Sequence, residues 1–330
     1  MVTAIETRTV EMKRILVTGA LGQVGSELVP ALRQRYGTDS VVASDVRVIR
    51  LAEAEADGPF EYVDVTSARA LQEVVLRYDV GTIYHLASLL SAVAEEKPHM
   101  AWDVNMGGLY RVLEVARQRR CSVFFPSSIG AFGPTTPKAS TPQDTIQRPT
   151  TMYGVTKVAG ELLCDYYHLR FGVNTRGVRY PGLISHAAPP GGGTTDYAVE
   201  IFYEAIRHHR YTCFLKPETC LDMMYMPDAL AAAIGVMEAD AARLRHRNAF
   251  NVTAMNFAPE TLVREIQKHI PGFEIEYEVD PVRQSIADSW PDSLDDSAAR
   301  EEWGWEPTYD LESMTRDMFD QLSARLGKKD

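Results

Sequence analysis

The stretch TGALGQVG, Thr18 to Gly25, decides the fold. It follows RILVT (Arg14 to Thr18), a short apolar run with strand character, and leads into a segment of helical spacing from Gln23 to Arg35. Glycines at positions 19, 22 and 25 let the backbone come close to a pyrophosphate, and the helix N-terminus behind them presents N–H groups and a partial positive charge. Three glycines alone are a weak signal. Between a strand and a helix they mark a dinucleotide cradle, to which Leu21, Gln23 and Val24 also belong. Asp45 closes the next strand, SVVAS from Ser40 to Ser44. A carboxylate there accepts hydrogen bonds from the adenosine ribose and repels a 2′-phosphate, so the implied cofactor is NAD rather than NADP. Arg47 reads as a solvated surface charge. Asp64 and Val65, after a third run (EYVDV, near Glu61), are placed to meet the adenine ring, although Asp64 in DVTSA equally suits a helix N-cap.

Farther along, TIYHLA (Thr82 to Ala87) and SVFFPSS (Ser122 to Ser128) extend a series of strands apolar on both faces. Helical stretches at Ala68 to Tyr78, His99 to Arg119 and Met152 to Phe171 separate them. This alternation of βαβ units implies a Rossmann-type α/β fold, a doubly wound parallel sheet with helices on both sides. Pro30, inside the first helical stretch, predicts a kink. Beyond about residue 183 the pattern becomes irregular. PPGGGTTDY (Pro189 to Tyr197) is a loop, and a helix follows with Ala198, Val199, Phe202 and Ile206 on one stripe. NAFNVTA (Asn248 to Ala254) looks like a late addition to the same sheet. The expected division is an N-terminal extension at 1–12, a dinucleotide-binding domain at 13–182 to which later elements return, and a smaller mixed α+β cap at 183–330 that binds substrate.

Composition narrows the function classes. The 330 residues are 45% hydrophobic and 24% charged, with 34 Lys plus Arg against 45 Asp plus Glu, a formal charge of −11. That balance disfavours nucleic acid and anionic membrane surfaces as partners. No apolar run approaches the roughly 20 residues that span a bilayer, and the first dozen residues carry no stretch of signal-peptide character. Cys121, Cys164, Cys213 and Cys220 form neither a disulfide framework nor a zinc-type pair. The expectation is a cytoplasmic protein with no structural metal and with its cysteines in the core.

Tyr153 and Lys157 stand one helical turn apart at the start of a helical stretch. An ammonium beside a phenol favours the phenolate, which predicts a tyrosine pulled below its free value of about 10 and able to act as a base. The end of the fifth strand brings Ser127 and Ser128 to the same carboxyl edge. Either hydroxyl can hold a substrate oxygen while Tyr153 takes its proton. Together TGALGQVG, Asp45, HLA (His85 to Ala87), Asn105, PSSIGAFG (Pro126 to Gly133), YGVTK (Tyr153 to Lys157) and RYPG (Arg179 to Gly182) resemble the extended short-chain dehydrogenase/reductase family. The likeness runs from Lys13 to about Leu322. It implies that Tyr153 is the base, that Lys157 binds ribose and lowers the phenol, and that Ser128 rather than Ser127 orients the hydroxyl. It also implies cofactor contacts from Leu86, Ala87, Asn105 and Tyr180.

Within that family, GGGTTDY and ADSWP (Ala287 to Pro291) resemble the short-chain L-threonine 3-dehydrogenases. The resemblance implies oxidation of the β-hydroxyl of L-threonine to 2-amino-3-oxobutyrate, with substrate contacts from Thr194, Thr195 and Trp290. Thr194 equally suits a helix N-cap and Trp290 a core anchor. Gly191 to Thr195 offers N–H groups and hydroxyls as an anion nest, and Ser91 lies on the same edge after the fourth strand. Two other functions remain open: a nucleotide-sugar epimerase or dehydratase of the same fold, and a protein that senses NAD without chemistry. RQSIADSWP from Arg283 keeps only the arginine of the diphosphate-binding segment common in such epimerases. Surplus apolar residues on the helical stretches near 99–119 and 151–171, among them Trp102, Tyr110, Tyr166 and Leu169, predict a homodimer, the arrangement in relatives.

Overall fold

A computed structural model describes residues 13–47, 58–191 and 193–326. The expected extension at 1–12 and Gly192 of the glycine run lie outside the described residues. The first half builds strands β1 (Arg14–Thr18), β2 (Val41–Asp45), β3 (Phe60–Tyr62), β4 (Val80–His85), β5 (Ser122–Phe124), β6 (Ser127–Ser128) and β7 (Thr175–Arg176). Six of them form one parallel sheet in the order β3-β2-β1-β4-β5-β7, so the winding reverses between β1 and β4. Ligands of such sheets sit in the crevice at that reversal, at the carboxyl ends of the strands.

Burial explains the parallel sheet. Ile15, Val17, Val41 and Ala43 face one core cluster, with Leu28 and Leu32 of the helix Gly25–Tyr36. Leu16, Val42 and Ile83 face the other, with Leu71, Val74, Leu109 and Leu113. Alternate residues therefore enter opposite layers, as a strand period of two demands.

The second half contributes β8 (Val178–Tyr180), β9 (Gly182–Ile184), β10 (Arg210–Cys213), β11 (Leu221–Tyr225), β12 (Phe250–Asn251), β13 (Met255–Phe257) and β14 (Glu274–Tyr277). They form small sheets, β12-β8-β6, β13-β11-β9 and β10-β14. A third core cluster joins the helices Tyr197–His208, Pro259–His269 and Leu311–Leu326. Other late residues close the first half's core: Ala229, Ala232 and Val236 of the helix Met226–Glu238, with Phe250 and Trp305, pack in the cluster of Ile15 and Val17.

Four expectations are corrected. NAFNVTA does not join the large sheet: Phe250 and Asn251 pair with Val178 and Arg179 of β8 in a small one. SVFFPSS is not one strand. Pro126 has no N–H for the ladder, and after it Ser127 and Ser128 leave the large sheet to pair with Arg179 and Tyr180 of β8. The helical stretch at 99–119 is α-helical at Pro98–Ala101 and Gly108–Arg119 but π-helical at Trp102–Gly107, an extra residue that a 3.6-residue pattern does not reveal. Pro30 does not interrupt the helix Gly25–Tyr36: it lies on the exposed side, where the Ser26 turn it would clash with also faces water.

Candidate active site

Two cavities meet at the switch point, sharing Gly19, Gly22, Leu86 and Ser88, and form one trench across the glycine loop. Gly19 has φ +72°, and a Cβ there would stand 2.7 Å from the Ala87 backbone nitrogen. A Cβ on Gly25 would collide with the Gly19 carbonyl. Only glycine fits either place, so the chain closes tightly on itself and leaves the trench floor bare. Behind it the helix Gly25–Tyr36 starts at Val24 with no side-chain cap; Ser26 N and Glu27 N already donate to backbone carbonyls, which leaves the N–H groups of Val24 and Gly25 to a ligand. This cradle fits a dinucleotide pyrophosphate.

On the adenosine side, a cavity of about 1040 Å³ is lined by Asp45, Asp64, Val65, Leu86 and Ala87. Asp45 Oδ2 accepts from Leu21 N at 3.0 Å, and its Oδ1 accepts from Arg47 N at 3.0 Å and Arg47 Nε at 2.9 Å. Arg47 is thus no free surface charge: it folds back on the carboxylate because burial of Asp45 makes an unpaired charge costly. Burial alone would raise Asp45, but hydrogen bonds from Arg47 and Leu21 outweigh it and hold the carboxyl below its ordinary range. Leu21 lines neither cavity, its N–H being held by Asp45. Asp64 is not the helix cap either. Its Oδ1 accepts from Thr66 N and Thr66 Oγ1, both at 2.8 Å, while Ser67 caps the helix Ala68–Arg77.

On the other side, a cavity of about 220 Å³ brings together Ser91, Ser128, Tyr153, Lys157, Tyr180, Thr194, Thr195 and Trp290. Tyr153 and Lys157 open the helix Met152–Phe171, which Thr151 caps by accepting from Gly154 N at 3.1 Å. The phenol is not acidified as the spacing alone predicts. Burial pushes Tyr153 up to about 12, against a lowering hydrogen bond with Ser128. Burial also lowers Lys157 to about 8. Its ammonium donates to Pro126 O at 2.7 Å, lies 5.3 Å from the Tyr153 ring centroid and makes no hydrogen bond to the phenolic oxygen among the described residues. Ser128 Oγ accepts from Gly130 N at 3.1 Å, whereas Ser127 donates to the buried carboxylate of Glu161. Both serines line the cavity with Tyr153, but the Ser127 proton is committed to Glu161.

Asn105, in the π-helical turn, stands behind the trench wall. Its Oδ1 accepts from Leu89 N at 2.8 Å, and its Nδ2 donates to Leu89 O and Thr156 Oγ1, each at 3.1 Å. It therefore ties the loop after β4 to the tyrosine's helix and lines neither cavity of the trench. Tyr180 gives the cavity its ring only, because its hydroxyl donates to Ala229 O at 2.7 Å.

The expected anion nest is already filled. Gly191 N and Gly193 N donate to Asp196 Oδ2 at 2.6 and 2.8 Å. The helix Tyr197–His208 begins at Asp196, so Thr194 is not its N-cap. Trp290 is both cavity wall and core residue. Ser88 and Asp196 also line the cavity and are absent from the expected set; Asp196, the one carboxylate in the GGGTTDY run, was the visible signal. Among the described residues no cluster of three or more His, Cys, Asp or Glu is arranged to hold a metal, and no helix is long and apolar enough to cross a membrane.

The model of the NAD dependent epimerase/dehydratase family matches residues 15–252. The chain belongs to that family. Within it, an uncharacterized epimerase/dehydratase of Staphylococcus haemolyticus is 56% identical over 95% of this chain and 99% of its own length. The solved L-threonine dehydrogenase of Clostridium difficile is 59% identical with a TM-score of 0.93, covering 95% of this chain and 98% of that one. The holo form of a GalE-like L-threonine dehydrogenase from Cupriavidus necator is 50% identical with a TM-score of 0.91, covering 94% and 99%. The chain is an NAD-dependent oxidoreductase of Rossmann fold, and NAD is its cofactor.

Proposed function

We propose that the protein oxidises the β-hydroxyl of L-threonine to 2-amino-3-oxobutyrate. The observation that carries this reading is the convergence of Ser128, Tyr153 and Lys157 on one small cavity that opens onto the dinucleotide trench. NAD, when bound, supplies the carbon that takes the hydride from Cβ and a positive charge that favours a nearby phenolate. Ser128 holds the substrate oxygen, and Tyr153 takes its proton. Lys157, anchored on Pro126 O, orients the ribose and keeps a cation in the site. Ser91, Thr194, Thr195 and Trp290 close around the amino acid. The product is a β-keto acid and loses CO2 to give aminoacetone.

Arg283 supports an amino acid over a sugar nucleotide. Its guanidinium lies 4.1 Å over the Phe214 ring and does not line the trench, so no diphosphate anchor faces the cavity from that position. The test is NADH formation by the purified protein with L-threonine, beside a parallel incubation with UDP-galactose. NADH with threonine alone is expected; epimerised sugar nucleotide and no NADH would replace this reading.

The apolar face of the helices Gly108–Arg119 and Met152–Phe171 supports a homodimer. Leu162 is 62% and Leu169 84% exposed, beside Tyr110 and Tyr166. Such a band on a chain of this charge is covered by a second copy of itself.

A further inference from the structure

Lys157 and Asp196 are the two charged side chains lining the smaller cavity. Asp196 is 7% exposed. One carboxylate oxygen, Oδ2, holds the loop by accepting from Gly191 N and Gly193 N. The other, Oδ1, takes no hydrogen bond among the described residues. Oδ1 is not among the sealed, unpartnered polar atoms of the fold, so it stays accessible beside the cavity that Asp196 lines, where a charged oxygen meets a ligand's cation or donor. Lys157 does not serve, because its ammonium is held by Pro126 O.

We propose that Asp196 Oδ1 receives the ammonium group of the amino-acid substrate. The assignment rests on the reading of the protein as an L-threonine dehydrogenase, and it names the residue that selects a 2-amino-3-hydroxy acid over the same acid without its amino group. The division of labour follows from the geometry. Oδ2 fixes the glycine run, and the fixed run aims Oδ1, so substrate recognition and loop shape share one side chain. A carboxylate here also repels the substrate's own carboxylate, which is left to the hydroxyls of Ser91 and Thr194 on the cavity wall. The zwitterion is thereby oriented end to end, with its β-hydroxyl toward Ser128 and Tyr153.

The test compares the full-length protein and Asp196→Asn, which keeps an oxygen for the two glycine N–H groups and removes the charge. With saturating NAD, two constants are measured: KM for L-threonine, and the inhibition constant of (R)-3-hydroxybutyrate, which lacks only the ammonium. The expected result is a threonine KM raised about tenfold or more, with the inhibitor constant unchanged within about twofold or tighter. NAD affinity of the variant stays at the wild-type value and shows that the trench is intact. Equal weakening of both ligands assigns Asp196 to loop shape alone and overturns the proposal, as does an unchanged threonine KM. Wild-type protein that makes no NADH from L-threonine overturns instead the reading beneath it.

Discussion

At the scale of single residues, the chemistry turns on a phenol that burial makes harder to ionise. Tyr153 is pushed up to about 12, so at neutral pH the phenolate is a minor species. While the phenol stays mostly protonated, each pH unit gained raises the phenolate fraction, and the rate if Tyr153 is the base, about tenfold. The rise bends near about 8, where Lys157 begins to lose its charge. We expect log kcat/KM to climb with a slope near one up to that bend, and a flat profile in rate assays across this range would remove Tyr153 from the proton-transfer step. Tyr153→Phe is expected to bind NAD as the wild type does and to lose turnover by about a hundredfold or more. Asp45 answers to a different measurement. Replacing it with alanine releases both Leu21 N and Arg47, and a freed guanidinium beside the ribose position welcomes a 2′-phosphate. Asp45→Ala is therefore expected to raise KM for NAD and lower KM for NADP, measured as the ratio of the two.

At the scale of elements, the site depends on how the tyrosine's helix is fastened to the strands beside it. Glu161 on that helix pairs with Arg179 of β8 at 2.9 Å and also accepts from Ser127 and from Gln147 Nε2. Both charged side chains are nearly fully buried. Removing one partner leaves an uncompensated charge, so Arg179→Met is expected to cost about 3–5 kcal/mol of unfolding free energy in urea titrations. Combining Arg179→Met with Glu161→Leu is expected to recover much of that loss, because neither charge is then left buried alone. A single-mutant cost below about 1 kcal/mol would mean that water reaches the pair.

Elements also show where sequence reading stops. The parallel sheet was legible in β1, β2 and β4 because both faces of each strand are apolar, and the cradle because glycines recur between a strand and a helix. Spacing put Tyr153 and Lys157 on one helical turn and the strand end put Ser127 and Ser128 on the same edge, and all four line one cavity. The acidity of Tyr153 was not, since spacing gives the neighbouring charge but says nothing of the solvent lost. Nor was the fate of the Gly191 and Gly193 N–H groups, because a carboxylate five and three residues on claims them only after the loop closes. Arg47 is exposed as expected, but its pairing with the carboxylate two residues back was not legible, because only the buried end of β2 makes it worthwhile.

At the scale of the whole molecule, one band of aromatic and aliphatic side chains stays outside. Tyr110 and Tyr166 pack edge to face on Tyr167, Phe171 packs edge to face on Tyr166, and Leu162 and Leu169 extend the same surface. If two copies cover it, a charge at its most exposed point splits them. Leu169→Asp is expected to halve the mass seen by sedimentation while leaving the helix content unchanged; a wild-type protein that sediments as a single chain would show that the band is left bare.

The packing of Ala229, Ala232, Val236 and Trp305 against Ile15 and Val17 has a consequence for biosynthesis. A nascent chain leaving the ribosome makes its first parallel strands long before the residues that shield one of their faces. Until position 305 has emerged, that greasy side is open to solvent and to trigger-type chaperones. A separately produced fragment ending at 182 inherits the same bare side permanently, and it is expected to bind a hydrophobic dye and precipitate.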